Sequence, residues 1–394
     1  MKETLDRFGM SAAHIDASGA HWTAREILQQ PQIWLEVEKL HAAEAARLED
    51  FLRPMLSQPD LRIVLTGAGS SAFIGECLAP ALARKLARVE AIPTTDIVAS
   101  PDTFLSSRCR TLIVSFARSG NSPESVAAVE FAERRVERCA HLIFTCNADG
   151  ALLQRARDMK NARVVLLPEA SNDRGFAMTS SFTGMLLAAA LTFRVAPAGA
   201  ARLRSIIALA DQVLAGCTPT LNALVHEGFE RVVYLGSNEL QGLAREAALK
   251  MLELTDGKVV AAAESTLGFR HGPKAILNEK TLVVIFLSND PYTRRYDLDL
   301  VAELRREAVA GRVVVLSSGT QAHLQRDDVV LAGSANCKTE VSDLELCLPY
   351  AVFSQSLAML RALSLGVRPD NPSAAGTMSR VVQGVSIYPH GGSP

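Results

Sequence analysis

The stretch IVLTGAGSSAFIGE (63–76) joins a short apolar run to a turn that is rich in glycine and serine. The apolar run at 63–65 is typical of a buried parallel strand. Gly67 and Gly69 let the backbone turn tightly after it, and the next residues have the pattern of a first helical turn. This strand–turn–helix unit predicts an α/β fold built on a parallel sheet.

The same pattern occurs in both halves of the 394-residue chain. The runs that predict strands lie at 63–65, 112–115, 142–145 and 164–167 in the first half, and at 232–235, 282–286, 313–316 and 329–331 in the second. Their offsets are 169, 170, 171 and 165 residues, and each set closes with an apolar helical pattern. Four similar offsets in the same order indicate an internal duplication. We therefore expect two tandem flavodoxin-like parallel-sheet domains, with ligands at the carboxyl ends of the strands.

Four parts make up the expected domain organisation. They are an N-terminal helical segment (1–45), a first domain (46–205), a second domain (206–368) and a C-terminal tail (369–394). A Pro/Gly break within 195–215 sets the central boundary. A helical pattern covers 23–57, where Thr23 and Glu26 form a capping box that predicts its start and Pro54 lies close to its end.

Composition and charge exclude several classes of protein. Lys and Arg number 41 against 42 Asp and Glu, so the net charge of −1 offers no electrostatic footprint for nucleic acid or an anionic membrane. The start, MKETLDRFGM, has no signal-peptide pattern, and the apolar stretch at 185–193 is about half as long as a membrane span. The seven cysteines form no CxxC pair and no zinc spacing, which is typical of buried thiols in a reducing compartment. We expect a soluble cytoplasmic protein.

Two serine-bearing turns of the first repeat are candidates for phosphate binding. Ser70 and Ser71 lie at a predicted helix start, where free N–H groups and the helix dipole favour anions. The next strand ends in ARSGNSPES, which contributes Arg118, Ser119 and Ser122. Each turn alone is equally typical of an ordinary serine-capped helix. Because neighbouring strand ends meet at one edge, we expect a phosphate cradle in the first repeat, whereas the second repeat lacks these serine loops.

Acid–base chemistry is predicted in the second repeat. In LQGLAREAALKMLELTDGK, the spacing i, i+4, i+7 places Glu246, Lys250 and Glu253 on one face of a helix. Such a face is commonly a solvated Glu–Lys pair, but the apolar surroundings also suit a buried proton shuttle. The turn GFRHGP follows, and His271 in it is either structural or catalytic.

These stretches resemble a known family. GAGSS, SGNS and ALKMLELTDGKVVAAAESTLGFRHGP are similar to double sugar-isomerase (SIS) domain proteins, and the tail NPSAAGTMSRVVQGVSIYP fits the same group. The nearest resemblance is to the tagatose-6-phosphate ketose/aldose isomerase family, also described as galactosamine-6-phosphate deaminase/isomerase, and it covers roughly 40–390. The chain also resembles the isomerase half of glucosamine-6-phosphate synthase.

The resemblance implies roles for individual residues. Serines of the SIS loops would hold the sugar phosphate, a glutamate would move a proton between C1 and C2, a histidine would help to open the ring and a lysine would position the reacting groups. In this chain the implied phosphate ligands are Ser71, Ser119 and Ser122, and the implied catalytic residues are Glu253, His271 and Lys250.

Two positions differ from the synthase. Ala117 stands where its phosphate loop has serine, and Arg380 stands where its tail has an imine-forming lysine, so Arg380 is expected to bind charge.

The resemblance implies a hexosamine-6-phosphate deaminase/isomerase that acts on galactosamine 6-phosphate. Only about 50 residues of this sequence lie before the first repeat, so we expect no glutamine-derived ammonia, which favours the release of ammonia over its fixation. The alternatives are plain aldose–ketose isomerisation, glucosamine-6-phosphate deamination and a non-catalytic sugar-phosphate sensor. We expect a homodimer that binds a small sugar phosphate, without a cofactor, catalytic metal, nucleic acid or membrane partner.

His41 and Glu44 have the spacing of half a metal site but no companion pair, and we interpret them as surface residues.

Overall fold

The computed structural model contains two five-stranded sheets and their flanking helices. It describes residues 8–196, 198–319, 324–325, 328–331, 341–373, 376, 378–382 and 384–390. The strands are β1 (Arg62–Thr66), β2 (Val89–Ala91), β3 (Thr111–Ala117), β4 (Cys139–Thr145), β5 (Ala162–Leu166), β6 (Arg231–Leu235), β7 (Val260–Glu264), β8 (Thr281–Phe286), β9 (Arg312–Ser317) and β10 (Val329–Val330). The helices are α1 (Ala12–Ala17), α2 (His21–Leu28), α3 (Gln30–Leu56), α4 (Ser70–Ala83), α5 (Thr94–Ala99), α6 (Pro101–Phe104), α7 (Pro123–Arg135), α8 (Ala151–Arg157), α9 (Ser180–Thr192), α10 (Ala200–Gly216), α11 (Thr218–His226), α12 (Glu239–Leu254), α13 (Pro291–Glu307) and α14 (Asp343–Ser364).

Both sheets have the same topology. The strand orders are β2-β1-β3-β4-β5 and β7-β6-β8-β9-β10, and every neighbouring pair is parallel. This is the flavodoxin-like order, so the predicted fold class and duplication are confirmed. All eight runs identified in the sequence fall on strands, whereas the edge strands β2 and β7 were missed. The central strands are buried along most of their length, but β2 and β7 are only partly buried.

Helix α12 joins the two repeats because it packs against α4 of the first and against α14. A Cβ on Gly242 would lie 2.6 Å from the backbone nitrogen of Cys77, so glycine permits this close crossing of α12 and α4. The crossing brings one face of α12 near the carboxyl edge of the first sheet, where Arg118 acts electrostatically on Lys250.

Helix α14 lies in the apolar core that the two repeats share. Among the described residues, α14 is the one helix whose length and composition would allow it to cross a membrane. However, 94% of its most apolar stretch is buried inside the protein. A capping box at Ser342 and Glu345 begins this helix. Its length and composition therefore reflect burial in the core of an α/β protein.

The N-terminal helices differ from the sequence expectation. Thr23 and Glu26 do not cap a helix start, because α2 begins at His21 and α3 begins only at Gln30. Thr23 instead donates a hydrogen bond to the Asp370 carboxylate, at 2.7 Å. The carboxylate of Glu26 is buried and accepts hydrogen bonds from the backbone of the segment after β5. The expected boundaries near 45 and 205 fall within α3 and α10, and they stay predictions.

The cysteines are more varied than the sequence suggested. Cys77, Cys146, Cys217 and Cys347 are buried free thiols, as expected. Cys109 and Cys139 are also free but only partly buried. The seventh, Cys337, lies outside the described residues.

Candidate active site

A cavity of about 110 Å³ lies at the carboxyl edge of the first sheet, between the loops that follow β1 and β3. The residues that line it come from these two loops, from the start of α9 and from the tail. They include five of the expected phosphate ligands, namely Ser71, Arg118, Ser119, Ser122 and Arg380. The structure thus brings together side chains that are up to about 300 residues apart in sequence.

Helix starts shape the walls of this cavity. Ser122 is the N-cap of α7, and its hydroxyl accepts a hydrogen bond from the backbone N–H of Ser125. Gly120 has a φ of 64°, a left-handed conformation that lets the loop turn between the cavity and the helix. A Cβ on Gly67 would lie 2.6 Å from Ser71, so the turn before α4 also requires glycine. Free N–H groups at the starts of α4 and α7 and the nearby hydroxyls suit an anion such as phosphate.

Two arginines tie the tail to this cavity. Arg118 is buried and donates hydrogen bonds to the carbonyl oxygens of Phe176, at 3.3 Å, and Arg380, at 2.8 Å. The Arg380 guanidinium in turn donates to the carbonyl oxygen of Asp173. Burial, together with repulsion from Arg118, lowers the pKa of Arg380. Arginine nevertheless stays protonated near neutral pH, so both side chains supply positive charge beside the cavity.

Asp173 organises the third wall. Its carboxylate accepts hydrogen bonds from the backbone N–H groups of Thr179, Ser180 and Ser181, at 2.8 to 3.0 Å. This carboxylate therefore binds the start of α9 from outside the helix and fixes the loop that carries Met178 against the cavity. Sequence reasoning missed Asp173, because the aspartate lies several residues before the helix start that it binds.

The second cluster of polar residues is on α12. Lys250 is 1% exposed, and its ammonium donates a hydrogen bond to the Glu253 carboxylate and lies 3.6 Å from the Glu246 carboxylate. Burial alone would lower the pKa of Lys250, but the attraction of the two carboxylates outweighs it and leaves the pKa raised. The expected proximity of Lys250 and Glu253 is therefore present, and the cluster is largely buried.

Glu246 is the more unusual carboxylate of this cluster. It is 1% exposed, and neither of its carboxylate oxygens accepts a hydrogen bond within 3.5 Å. Burial raises its pKa to about 7, against the opposing effect of Lys250. Ser70 also acts on Glu246. The sequence led us to expect Ser70 in the phosphate cavity, but Ser70 does not line it. Ser70 is buried at the start of α4, on the side that faces α12.

His271 lies apart from these two clusters. It follows a short 3₁₀ turn at Gly268–Arg270, beyond the edge strand β7, and it is exposed. Its backbone N–H donates to Gly268, at 2.9 Å, and the structure places its ring outside the phosphate cavity. Within one chain, the residues that line the cavity include none of the expected catalytic residues Glu253, His271 and Lys250. Lys250 is linked to the cavity through the charge of Arg118, which acts on it.

The corresponding edge of the second sheet is acidic. A cavity of about 460 Å³ there is lined by Glu239, Asp290 and Asp343 among other residues. The Asp343 carboxylate accepts hydrogen bonds from the Ser288 hydroxyl and, at 2.6 Å, from the Asn289 N–H. A carboxylate of the chain itself thus occupies loop donors that could otherwise bind an anion. This difference supports the expectation that phosphate binds in the first repeat.

Comparison with known proteins identifies the family. The SIS domain model matches residues 55–194. The chain is 44% identical over 384 residues to D-galactosamine-6-phosphate deaminase AgaS of Shewanella sp. strain ANA-3, covering 96% of this chain and 95% of the relative. It is 48% identical to a Streptomyces coelicolor protein provisionally given the same name, with 95% and 97% coverage.

A solved structure shows the same fold over the whole chain. The crystal structure of a protein from Clostridium novyi NT, provisionally identified as tagatose-6-phosphate ketose/aldose isomerase, matches with a TM-score of 0.94 and 40% identity. The match covers 99% of this chain and 100% of that one. The chain therefore belongs to the AgaS family of SIS-domain proteins.

Proposed function

We propose that this chain is a hexosamine-6-phosphate deaminase/isomerase that converts galactosamine 6-phosphate and water to tagatose 6-phosphate and ammonia. The observation that carries the proposal is that Arg118, which lines a cavity with a second arginine and several serines, acts electrostatically on the buried Lys250–Glu253 pair. Relatives that match nearly the whole chain are named for this deamination. An anion site beside an acid–base pair is what a proton shift on a sugar phosphate requires.

The phosphate is proposed to bind in the cavity of the first repeat. Its volume of about 110 Å³ suits a phosphate group, so the sugar would extend from it toward α12. Hydroxyls of Ser71, Ser119 and Ser122 and the N–H groups of the helix starts would hold the oxygens. Arg118 and Arg380 would balance the negative charge.

The Glu253 carboxylate is proposed to carry the proton. In the open-chain sugar it would take the proton from C2 and return it to C1, while a second proton passes through solvent from the amino nitrogen to the C1 oxygen. The aldehyde then becomes a hydroxymethyl group and C2 carries an imine. Water would then add to the imine carbon and displace ammonia, giving the ketose. Lys250 would hold the Glu253 carboxylate in place through the hydrogen bond between them. This reaction consumes one water and needs no oxidant.

His271 is proposed to assist ring opening from a neighbouring copy of the chain. Its exposure and its distance from the cavity within one chain favour this arrangement over one within a single subunit. A homodimer would then be the active form, in the cytoplasm, where the free cysteines would stay reduced.

A substrate panel tests the proposed function. Ammonia release is measured with galactosamine 6-phosphate and glucosamine 6-phosphate, and tagatose 6-phosphate is tested for isomerisation. We expect ammonia from the galacto substrate at the higher kcat/KM. Faster release from the gluco substrate would change the assigned substrate. Isomerisation without ammonia would replace deamination, and binding without turnover of any substrate would indicate a sensor.

A further inference from the structure

We propose that Glu133, Cys139 and His141 form a binding site for a divalent transition metal with the preferences of zinc. The three residues belong to the end of α7 and the start of β4. His141 Nε2 lies 2.8 Å from Glu133 Oε1 and 3.3 Å from Cys139 Sγ, and the three donor atoms all lie within 4.8 Å of one another.

The two separations from His141 Nε2 are close to those of a metal-bound set. Zinc binds nitrogen and oxygen at about 2.0–2.2 Å and sulfur at about 2.3 Å, so donors around one tetrahedral ion are roughly 3.3–3.6 Å apart. The imidazole and carboxylate would need to separate by about half an ångström to admit the ion. Glu133 is exposed at a helix end, so its side chain can make this movement.

Hydrogen bonds alone leave this cluster poorly satisfied. One N–H on Nε2 cannot be donated well to both a carboxylate and a sulfur, and both atoms face the same ring nitrogen of His141. The other nitrogen, Nδ1, is buried and makes no hydrogen bond, so the ring directs its polar contacts toward the cluster. A cation at Nε2 would use lone pairs of all three donors.

The charge of the donor set fits a doubly charged ion. A thiolate and a carboxylate together neutralise it, with the thiol proton passing to solvent on binding, and a neutral set suits the buried position of His141. Arg155 is a cation that faces this region, and its guanidinium lies 4.0 Å from Glu130. Asn161 donates to the Glu133 carboxylate, at 2.8 Å, and to the Cys139 carbonyl oxygen, at 3.0 Å, so its amide joins the helix end to the strand beside the three donors. Mixed sulfur, nitrogen and oxygen donors favour zinc over magnesium or calcium.

The position of the site separates it from the proposed chemistry. β4 begins at Cys139, so the cluster lies at the amino edge of the first sheet, and the phosphate cavity lies at the carboxyl edge. A bound ion would join the end of α7 to β4 and act on stability. The sequence search missed it, because Cys139 and His141 are two residues apart on a strand and Glu133 is on the preceding helix.

Cobalt spectroscopy of the full chain tests the site. Protein treated with a chelator and then dialysed is titrated with Co²⁺, and we expect one equivalent to give a near-ultraviolet thiolate-to-cobalt band that Zn²⁺ abolishes. Cys139→Ser should remove the band, and Glu133→Gln should weaken binding by at least about tenfold. Cys109→Ser, which changes another partly buried free thiol, is the matched control and should keep the band.

Stability gives an independent readout. Zn²⁺ should raise the melting temperature of the parent and of Cys109→Ser, but not that of Cys139→Ser, while ammonia release stays unchanged in all three. The far-ultraviolet circular dichroism spectrum of each variant checks that it folds. Absence of the cobalt band in the parent, or the same band in Cys139→Ser, would overturn the proposal.

Discussion

Lys250 donates a hydrogen bond to Glu253 one turn farther along α12, and the charge of Arg118 from the other repeat acts on Lys250. One helix therefore supplies both members of the pair, and the packing of the two repeats sets its electrostatic surroundings. A lysine that is 1% exposed remains charged here because two carboxylates face it.

Replacing this lysine should lower the rate of ammonia release. Lys250→Met removes the hydrogen-bond donor to Glu253, along with the charge that lowers the pKa of Glu246. We expect kcat for ammonia release to fall on the order of 100-fold. Lys258→Met, an exposed lysine beyond the same helix, is the control. A parental kcat for Lys250→Met would contradict the role of Lys250 in holding the Glu253 carboxylate.

Two serines of the same loop should separate stability from binding. Ser122→Ala removes the N-cap of α7 and should lower the free energy of unfolding by about 1 kcal/mol while raising KM. Ser119→Ala removes a hydroxyl that caps no helix, so KM should rise several-fold with little change in stability. Urea denaturation and steady-state kinetics on both variants measure this. Equal losses of stability in Ser122→Ala and Ser119→Ala would contradict the assignment of the helix cap to Ser122 alone.

The tail arginine should act mainly on substrate affinity. Arg380→Ala removes a positive charge beside the phosphate cavity, and we expect KM to rise roughly 10- to 100-fold, with a smaller change in kcat. Arg380→Lys keeps the charge and should recover part of the affinity. If Arg380→Ala lowers kcat but leaves KM unchanged, the arginine is not a phosphate ligand.

Glu26 should make the protein less stable as the pH rises. Burial, with repulsion from Asp173, raises its pKa to about 8, so between about pH 4.5 and 8 the folded chain keeps a proton that the unfolded chain has lost. The free energy of unfolding should therefore decrease over this range, by up to about 1.4 kcal/mol per pH unit. Glu26→Gln should remove this contribution and Glu36→Gln should not. Urea titrations across the range give the slopes, and identical slopes for the parent and Glu26→Gln would refute the assignment.

Mixed dimers test whether His271 serves a partner. Glu253→Gln and His271→Asn should each be inactive alone. If each site takes these two residues from different subunits, an equal mixture that exchanges subunits should recover about one quarter of the parental activity. Recovery shows a shared site, whereas a mixture that exchanges but stays inactive would place both residues in one subunit.

Local sequence patterns predicted the features that depend on neighbouring residues. Buried central strands are recognised by their apolar runs, and Ser122 as an N-cap is recognised by its place before Pro123. The edge strands β2 and β7 were missed because β2 is three residues long and β7 is rich in alanine. Neither leaves the apolar signal of a buried strand.

Side-chain partners across long sequence distances could not be read from these patterns. Glu26 has the spacing of a capping box, but it binds the loop near Asp173 about 150 residues away. Ser70 and Ser71 are adjacent, yet Ser71 lines the cavity and Ser70 is on the side of Glu246, because successive residues of a helix point in different directions. The packing of α12 on α4 decides which side chains meet.

Ammonia release by Glu253→Gln tests the account most directly. The amide keeps the size of the side chain but cannot take the proton from C2, so the rate with galactosamine 6-phosphate should fall on the order of 100- to 10,000-fold. Binding of the sugar phosphate, measured by calorimetry on the same variant, should stay near the parental affinity. A variant that binds normally and releases ammonia at the parental rate would contradict the role of Glu253 as the proton carrier.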